Sequence, residues 1–157
     1  DPTILDVIQR TDTGGVPIET CLYDARTPVP KDLRGEFDVV LTDPPYTPDG
    51  IRLFLSRAYE LLRPRCGCIY LSYGCSLRAR ERGVAVQRVI NEMGWLIEAV
   101  WPDFNRYFAA ASIGASSHMY LLLATPQTRP AVRGDFRGEI YTDQGHTRGA
   151  QAEAGEE

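Results

Sequence analysis

The sequence predicts an α/β domain built on a doubly wound, mostly parallel sheet. Three observations carry this. Strand-like and helix-like segments alternate from residue 3 to about residue 125. The run 37–42 (FDVVLT) is almost continuously apolar, as expected of a central parallel strand covered on both faces. Apolar residues between 51 and 62 recur at helical spacing. A length of 157 residues fits about one domain. With 43% hydrophobic and 24% charged residues the chain is neither a disordered tail nor a collagen-like repeat. No stretch approaches the roughly 18 apolar residues of a membrane-spanning helix, and the N-terminus lacks the basic start and apolar stretch of a signal peptide.

Residues 3–10 read as the end of an amphipathic helix with Ile4, Leu5 and Ile8 on one face, broken by Gly14-Gly15. Residues 18–24 read as a short strand leaving through Asp24-Ala25-Arg26, and 37–42 as the central strand. The next helix has the fullest set of signals. Thr47 can cap it, Pro48 suits its first turn, and Asp49 opposes the positive end of its dipole. Ile51, Phe54, Leu55, Ala58, Leu61 and Leu62 form its buried face, and Arg63-Pro64-Arg65 stops it. Residues 66–73 (CGCIYLSY) form a second central strand. A helical stretch interrupted by Gly83 then carries Val86, Val89, Ile90 and Met93 at i, i+3, i+4, i+7, and Gly94 ends it. Residues 95–101 and 118–124 are two more strands, joined by a long loop over 102–117 of the length often given to function. Residues 134–143 add a short extended piece, and 143–157 form a disordered tail rich in Gly, Ala and Glu. Residues 1–142 thus constitute the folded unit.

The four cysteines, Cys21, Cys66, Cys68 and Cys75, do not show zinc-site spacing; Cys66 and Cys68 form only a C-x-C and would share one strand face. Buried reduced thiols, a cytoplasmic setting and no metal are the expectation. The net charge of −4, without a Lys/Arg cluster, argues against nucleic acid and mildly for a cationic partner.

Chemistry is expected at Asp43-Pro44-Pro45-Tyr46, directly after FDVVLT, because ligands of open α/β sheets bind beyond the carboxyl ends of the strands. The prolines fix φ and stiffen the turn. Asp43 becomes a carboxylate at a strand tip, and Tyr46 a ring over the crevice. Trp101, Phe104, Tyr107 and Phe108 could face a cationic chain, with ordinary packing as the alternative. Ser72 and Tyr73 are candidate lining residues, and His118 is expected to be structural.

The tetrapeptide resembles the [D/N/S]-P-P-[Y/F/W] motif of S-adenosylmethionine-dependent transferases that alkylate amino nitrogens. With Leu22-Tyr23-Asp24-Ala25-Arg26-Thr27-Pro28, the run from Phe37 to Thr47 and His118-Met119-Tyr120-Leu121-Leu122, the chain resembles the C-terminal catalytic domain of the branched-chain polyamine synthases, or N4-bis(aminopropyl)spermidine synthases, over residues 1–142. The resemblance implies a Rossmann-like class I methyltransferase fold and aminopropyl transfer from decarboxylated S-adenosylmethionine to N4 of spermidine. Asp43 and Tyr46 would be catalytic. Asp43 would contact the attacking amine, in its steadier role stabilising positive charge on nitrogen. Asp24 would bind the adenine amino group, Asp1 the ribose hydroxyls, and Pro44 would also border the donor. Pro45, Trp101, Phe104 and Tyr107 would border the polyamine.

The Gly-rich donor loop that follows the first strand of this fold is not found, and Phe136-Arg137-Gly138-Glu139-Ile140 does not supply it in permuted order. The expectation is a fold incomplete at its N-terminus, with about 50 residues of strand, loop and helix upstream of Asp1, together with a winged-helix-like domain. The alternative function is S-adenosylmethionine-dependent N-methylation of DNA, RNA or protein. A third reading is a non-catalytic remnant. A homodimer is compatible with the sequence.

Overall fold

The computed structural model describes residues 2–11, 14–64, 66–74, 80–106 and 116–140. The expectations for Asp1, Cys75, Tyr107, Phe108 and the tail from 141 onward lie outside them.

Helix α1, Pro2–Arg10, precedes Gly14 and Gly15, which take φ of 61° and 87°, a region glycine enters at no steric cost. Its Ile4 and Val7 stay exposed. The strand expected over 18–24 does not form. These residues run irregularly with Ile18 and Leu22 in solvent. Among the described residues no strand pairs with them to satisfy the backbone groups, and propensity alone does not hold a strand.

A 3₁₀ turn, Lys31–Leu33, leads to β1, Val39–Thr42, then α2, Pro48–Leu61, and β2, Cys68–Tyr73. Helix α3, Arg80–Glu92, is followed by β3, Leu96–Arg106, and β4, Ser116–Leu123. The sheet order is β1-β2-β4-β3. β1 and β2 are parallel, and β4 is antiparallel to both of its neighbours. Three strands therefore run one way and β4 runs against them.

The expectation that 37–42 forms a central strand buried on both faces is corrected. Among the described residues β1 pairs only with β2, and Val39 and Leu41 are 51% and 71% exposed while Val40 packs on the core. Phe37 contributes a single parallel bridge to Leu62. Continuous apolarity cannot say which of two faces its own chain covers.

The core lies on the other face. Ile69, Leu71 and Tyr73 of β2, with Tyr120 and Leu122 of β4, meet Ile51, Leu55 and Ala58 of α2 and Val86, Val89 and Ile90 of α3. Thr47 caps α2, its Oγ1 accepting from the Gly50 N–H at 2.9 Å, with Pro48 in the first turn. The buried face of α2 is wider than its apolar spacing indicated: Phe54 and Leu61 are only half-buried, whereas Leu53, Ser56 and Arg57 are buried. The segment after β4 passes over that side, and the Ala131 and Val132 N–H groups both donate to Ser56 Oγ at 3.0 Å. Gly83 sits buried within α3 and does not interrupt it. A lone glycine costs about 1 kcal/mol in a helix, less than burial of the apolar stripe returns.

Of the loop expected over 102–117, residues 102–106 belong to β3, which continues to Arg106 through register irregularities between Ile97 and Ala99 and between Trp101 and Asn105, and 116–117 open β4; residues 107–115 lie outside the described residues. The extended piece expected over 134–143 is irregular as far as Ile140, whose carbonyl accepts from Thr47 Oγ1 at 2.9 Å. Nor are the thiols buried: Cys21 and Cys66 are exposed and Cys68 half-buried, all three free. Cys66 precedes β2, so the C-x-C pair does not share a strand face.

Candidate active site

Asp43 follows the last residue of β1, at the carboxyl ends of the parallel strands, where backbone groups leave the ladder and side chains can meet a ligand. The turn behind it is tightly built. The Thr47 N–H donates to the Pro45 carbonyl at 2.7 Å, and a Cβ on Gly50 would stand 2.7 Å from that same oxygen. Only glycine lets α2 start this close to Pro45.

A cavity of about 620 Å³ opens on the sheet face away from α2 and α3, lined by Leu41, Thr42, Asp43, Tyr70, Ser72, Trp101, Phe104, Asn105 and Met119. The period of two decides which side chains reach it. On β2, Tyr70 and Ser72 face the cavity while Ile69, Leu71 and Tyr73 enter the core. Met119 is opposite both Ser72 on β2 and Trp101 on β3. The Tyr70 and Trp101 rings stack at 6.4 Å and 20°, and Phe104 lies 6.5 Å from Trp101. Three rings thus form one wall.

The floor is polar. Ser72 Oγ and Ser117 Oγ share a hydrogen bond of 2.9 Å, and Asn105 Nδ2 donates to both, at 3.1 and 3.2 Å. The bulge in β3 creates this arrangement. Four residues of β3, from Trp101 to Asn105, advance against two of β4, from Met119 to Ser117, so Asn105 rather than Asp103 comes opposite Ser117. Asp103 takes φ 51°, its N–H donates to His118 Nδ1 at 3.0 Å, and its Oδ1 accepts from Ser116 Oγ at 2.6 Å. His118 therefore serves to pin the bulge, the structural role expected of it.

Of the residues singled out in the sequence, the cavity brings together Asp43, Ser72, Trp101 and Phe104. Tyr46 goes elsewhere. Its ring meets Tyr73 edge-on at 4.8 Å, and a Cβ on Gly74 would stand 3.2 Å from its Cζ. Tyr46 and Tyr73 thus pack with the core rather than over the cavity. Pro44 is buried, Pro45 half-buried, and neither lines the cavity. Asp24 is exposed in a turn in which its Oδ1 accepts from the Arg26 N–H at 3.0 Å. Beside it, burial pushes the Tyr23 phenol above its ordinary value, with Arg57 opposing the shift.

That turn is anchored by a group not foreseen. Arg57 of α2 is 3% exposed, donating from Nε to the Ala25 carbonyl at 2.8 Å, from Nη2 to the Gly134 carbonyl at 2.6 Å and from Nη1 to Glu60 Oε1 at 3.0 Å. Glu60 Oε2 accepts from the Val29 N–H at 3.0 Å. Tyr70 and Asn105 also went unsignalled. Alternation with Ser72 along β2 could have found Tyr70; the bulge hid Asn105. Among the described residues no group of His, Cys, Asp and Glu could hold a metal ion, and no helix is long and apolar enough to cross a membrane.

Residues 1–130 match the profile of the branched-chain polyamine synthase A C-terminal domain. Among curated proteins, the chain is 44% identical over 108 residues to an uncharacterised protein of Methanocaldococcus jannaschii, covering 68% of this chain and 27% of that one. It is 34% identical over 94 residues to the N(4)-bis(aminopropyl)spermidine synthase of Thermococcus kodakarensis, covering 57% and 26%. The chain thus spans about a quarter of the length of these relatives. Among solved structures, the branched-chain polyamine synthase of Thermus thermophilus, in complex with N4-aminopropylspermidine and 5'-methylthioadenosine, superposes with TM-score 0.69 at 20% identity, over 90% of this chain and 46% of that one. Its C9 mutein, with the same two ligands, gives TM-score 0.72 at 22% identity, over 91% and 47%. At such identities the likeness shows the fold alone, the mixed α/β architecture of that synthase.

Proposed function

Because the chain belongs to the family of the branched-chain polyamine synthase A C-terminal domain, we propose that it is the acceptor-binding part of an aminopropyltransferase acting on spermidine. The observation that carries this reading is the composition of the cavity wall: among the described residues it presents one carboxylate, three aromatic rings, neutral oxygen acceptors and no basic side chain. Such a lining suits a slender polycation. Ring faces attract ammonium groups, with contacts of about 0.5–2 kcal/mol each, and an anionic or nucleic-acid ligand would find no cation among these lining residues.

In the proposed reaction the unprotonated N4 of spermidine attacks the propyl carbon bound to the sulfonium of decarboxylated S-adenosylmethionine. The C–N bond forms as the C–S bond breaks, its electron pair passes to sulfur, and 5'-methylthioadenosine leaves as a neutral thioether. In a first addition the tertiary ammonium formed releases its proton, and Asp43 is placed to receive it. In a second addition N4 becomes quaternary and there is no proton to remove. The constant contribution of Asp43 is therefore electrostatic, a fixed negative charge beside nitrogen as positive charge develops. Asp24 is proposed to hold the adenine amino group through the carboxylate oxygen its turn does not use. Pro44 and Pro45 are proposed to act through the rigidity of the Asp43 turn, and Tyr46 by bracing that turn against Tyr73. The free thiols fit a reducing, cytoplasmic setting.

The full-length gene product is assayed with spermidine and decarboxylated S-adenosylmethionine, and in parallel with S-adenosylmethionine and DNA, RNA or protein. The expected products are N4-aminopropylated spermidine and 5'-methylthioadenosine. Methylation of a macromolecule, with no branched polyamine formed, would overturn the proposal in favour of an N-methyltransferase.

A further inference from the structure

We propose that Asn105 is the docking group for a terminal ammonium of the acceptor, one methylene arm away from the nitrogen that reacts at Asp43. The inference rests on the acceptor reading above and adds to it a residue, an orientation and a determinant of chain length.

Asn105 stands on the bulged part of β3, yet its amide reaches across β4 to Ser72 of β2. Nδ2 donates to two hydroxyls, Ser72 Oγ at 3.1 Å and Ser117 Oγ at 3.2 Å, and these are themselves joined at 2.9 Å. Both serines are buried, at 4% and 0% exposure, so their positions are set by packing and the amide plane is set by them. With Nδ2 turned to these two buried hydroxyls, the carbonyl Oδ1 is the acceptor Asn105 has left to offer the cavity it lines. A neutral acceptor held in this way, beside an aromatic wall, recognises an N–H donor and favours a cationic one. Ser72 and Ser117 are positioning residues for it.

The spacing fits a polyamine arm. Thr42 pairs with Leu71, so Asp43 stands level with Ser72 on the next strand, about 4.8 Å away in the hydrogen-bonding direction. Asn105 Nδ2 lies 3.1 Å beyond Ser72 Oγ, so its amide is roughly 5–10 Å from Asp43, one to two strand spacings. Two nitrogens joined by three methylenes are four bonds of about 1.5 Å apart, or roughly 5 Å in extended form, and four methylenes add about 1.3 Å. One arm spans the gap; a whole spermidine length does not fit within it.

The test uses the full-length protein, its Asn105→Leu and Asn105→Asp variants, spermidine, and two spermidine analogues in which one or the other terminal amine is replaced by a methyl group. Asn105→Leu is expected to raise KM for spermidine roughly tenfold or more, the size of one hydrogen bond to a charged group, with KM for the sulfonium donor unchanged. Asn105→Asp keeps an oxygen acceptor and adds a negative charge beside the ammonium, and is expected to retain or lower the spermidine KM. One of the two analogues should lose the same factor in the wild type and lose nothing further in Asn105→Leu. An unchanged spermidine KM in Asn105→Leu overturns the inference. So does equal impairment of Leu and Asp variants with donor and acceptor constants moving together, the pattern of a purely structural residue. Should the wild type transfer no aminopropyl group, the functional proposal fails separately. Calorimetric titration with spermidine then decides the subsite, with equal affinity of wild type and Asn105→Leu refuting it.

Discussion

Replacing Arg57 with methionine keeps most of the side-chain volume and removes a buried guanidinium that joins three separate parts of the chain. In the wild type that group satisfies the carbonyls of Ala25 and Gly134 and pairs with Glu60, whose side chain is only 16% exposed. Removing one partner of such a pair costs about 3–5 kcal/mol, because the remaining charge stays in a poorly solvated position. The two freed carbonyls belong to irregular segments that water can reach once the guanidinium is gone, so they add little to that figure. A loss of about 4 kcal/mol is a large share of the 5–15 kcal/mol that usually separates folded from unfolded states. With a urea dependence of about 2 kcal/mol per molar, it moves the unfolding midpoint down by roughly 2 M. Urea unfolding followed by far-ultraviolet circular dichroism reads the shift. The double variant Arg57→Met/Glu60→Gln removes the stranded charge but keeps an acceptor for the Val29 N–H, and should recover a good part of the loss. A single variant within about 1 kcal/mol of the wild type would refute the reasoning, since that is the behaviour of a solvated surface pair. A double variant no more stable than the single one would refute it too.

Three further outcomes follow from the same geometry. Asp43→Asn keeps the size of the side chain and removes its charge; we expect kcat for aminopropyl transfer to fall about 10²–10³-fold with an unchanged circular dichroism spectrum, and retained turnover would remove Asp43 from the mechanism. Gly94→Ala combines a φ of 74° with a Cβ only 2.6 Å from the Gln127 carbonyl oxygen, and should destabilise by about 2–5 kcal/mol in urea unfolding from backbone strain and overpacking together. Tyr23 has its phenol raised by burial, so between the ordinary value near 10 and the folded one the native state holds more protons than the unfolded chain. Stability should therefore fall as pH rises past about 10, and Tyr23→Phe should lessen that fall and remove a late-titrating component from the tyrosinate absorbance.

Local chemistry carried much of this fold into the sequence. The cap at Thr47, Pro48 in the first turn of α2 and the stripe Val86, Val89, Ile90, Met93 each express a preference that neighbours in the chain decide. DPPY at the end of β1 also pointed to the cavity that Asp43 lines, because the carboxyl end of a parallel strand is defined by direction alone. Residues 18–24 show the limit of such reading: their pattern is strand-like, but a strand is a property of two segments.

What the sequence by itself determined was α2, α3 and the strands β1, β2 and β4, the position of Asp43 at the end of β1, and the kinship of the chain. Tertiary structure alone decided which side chains share a surface. It turned Tyr46 towards Tyr73, buried Arg57 under the segment after β4, and left one face of β1 exposed. It also brought Asn105 opposite Ser117 by a bulge that shifts β3 against β4. The physical reason is range. Capping and periodicity act over a few residues, whereas Asn105 meets Ser72 across 33 positions of sequence and Arg57 meets the Gly134 carbonyl across 77, and register between strands is set only when both are in place.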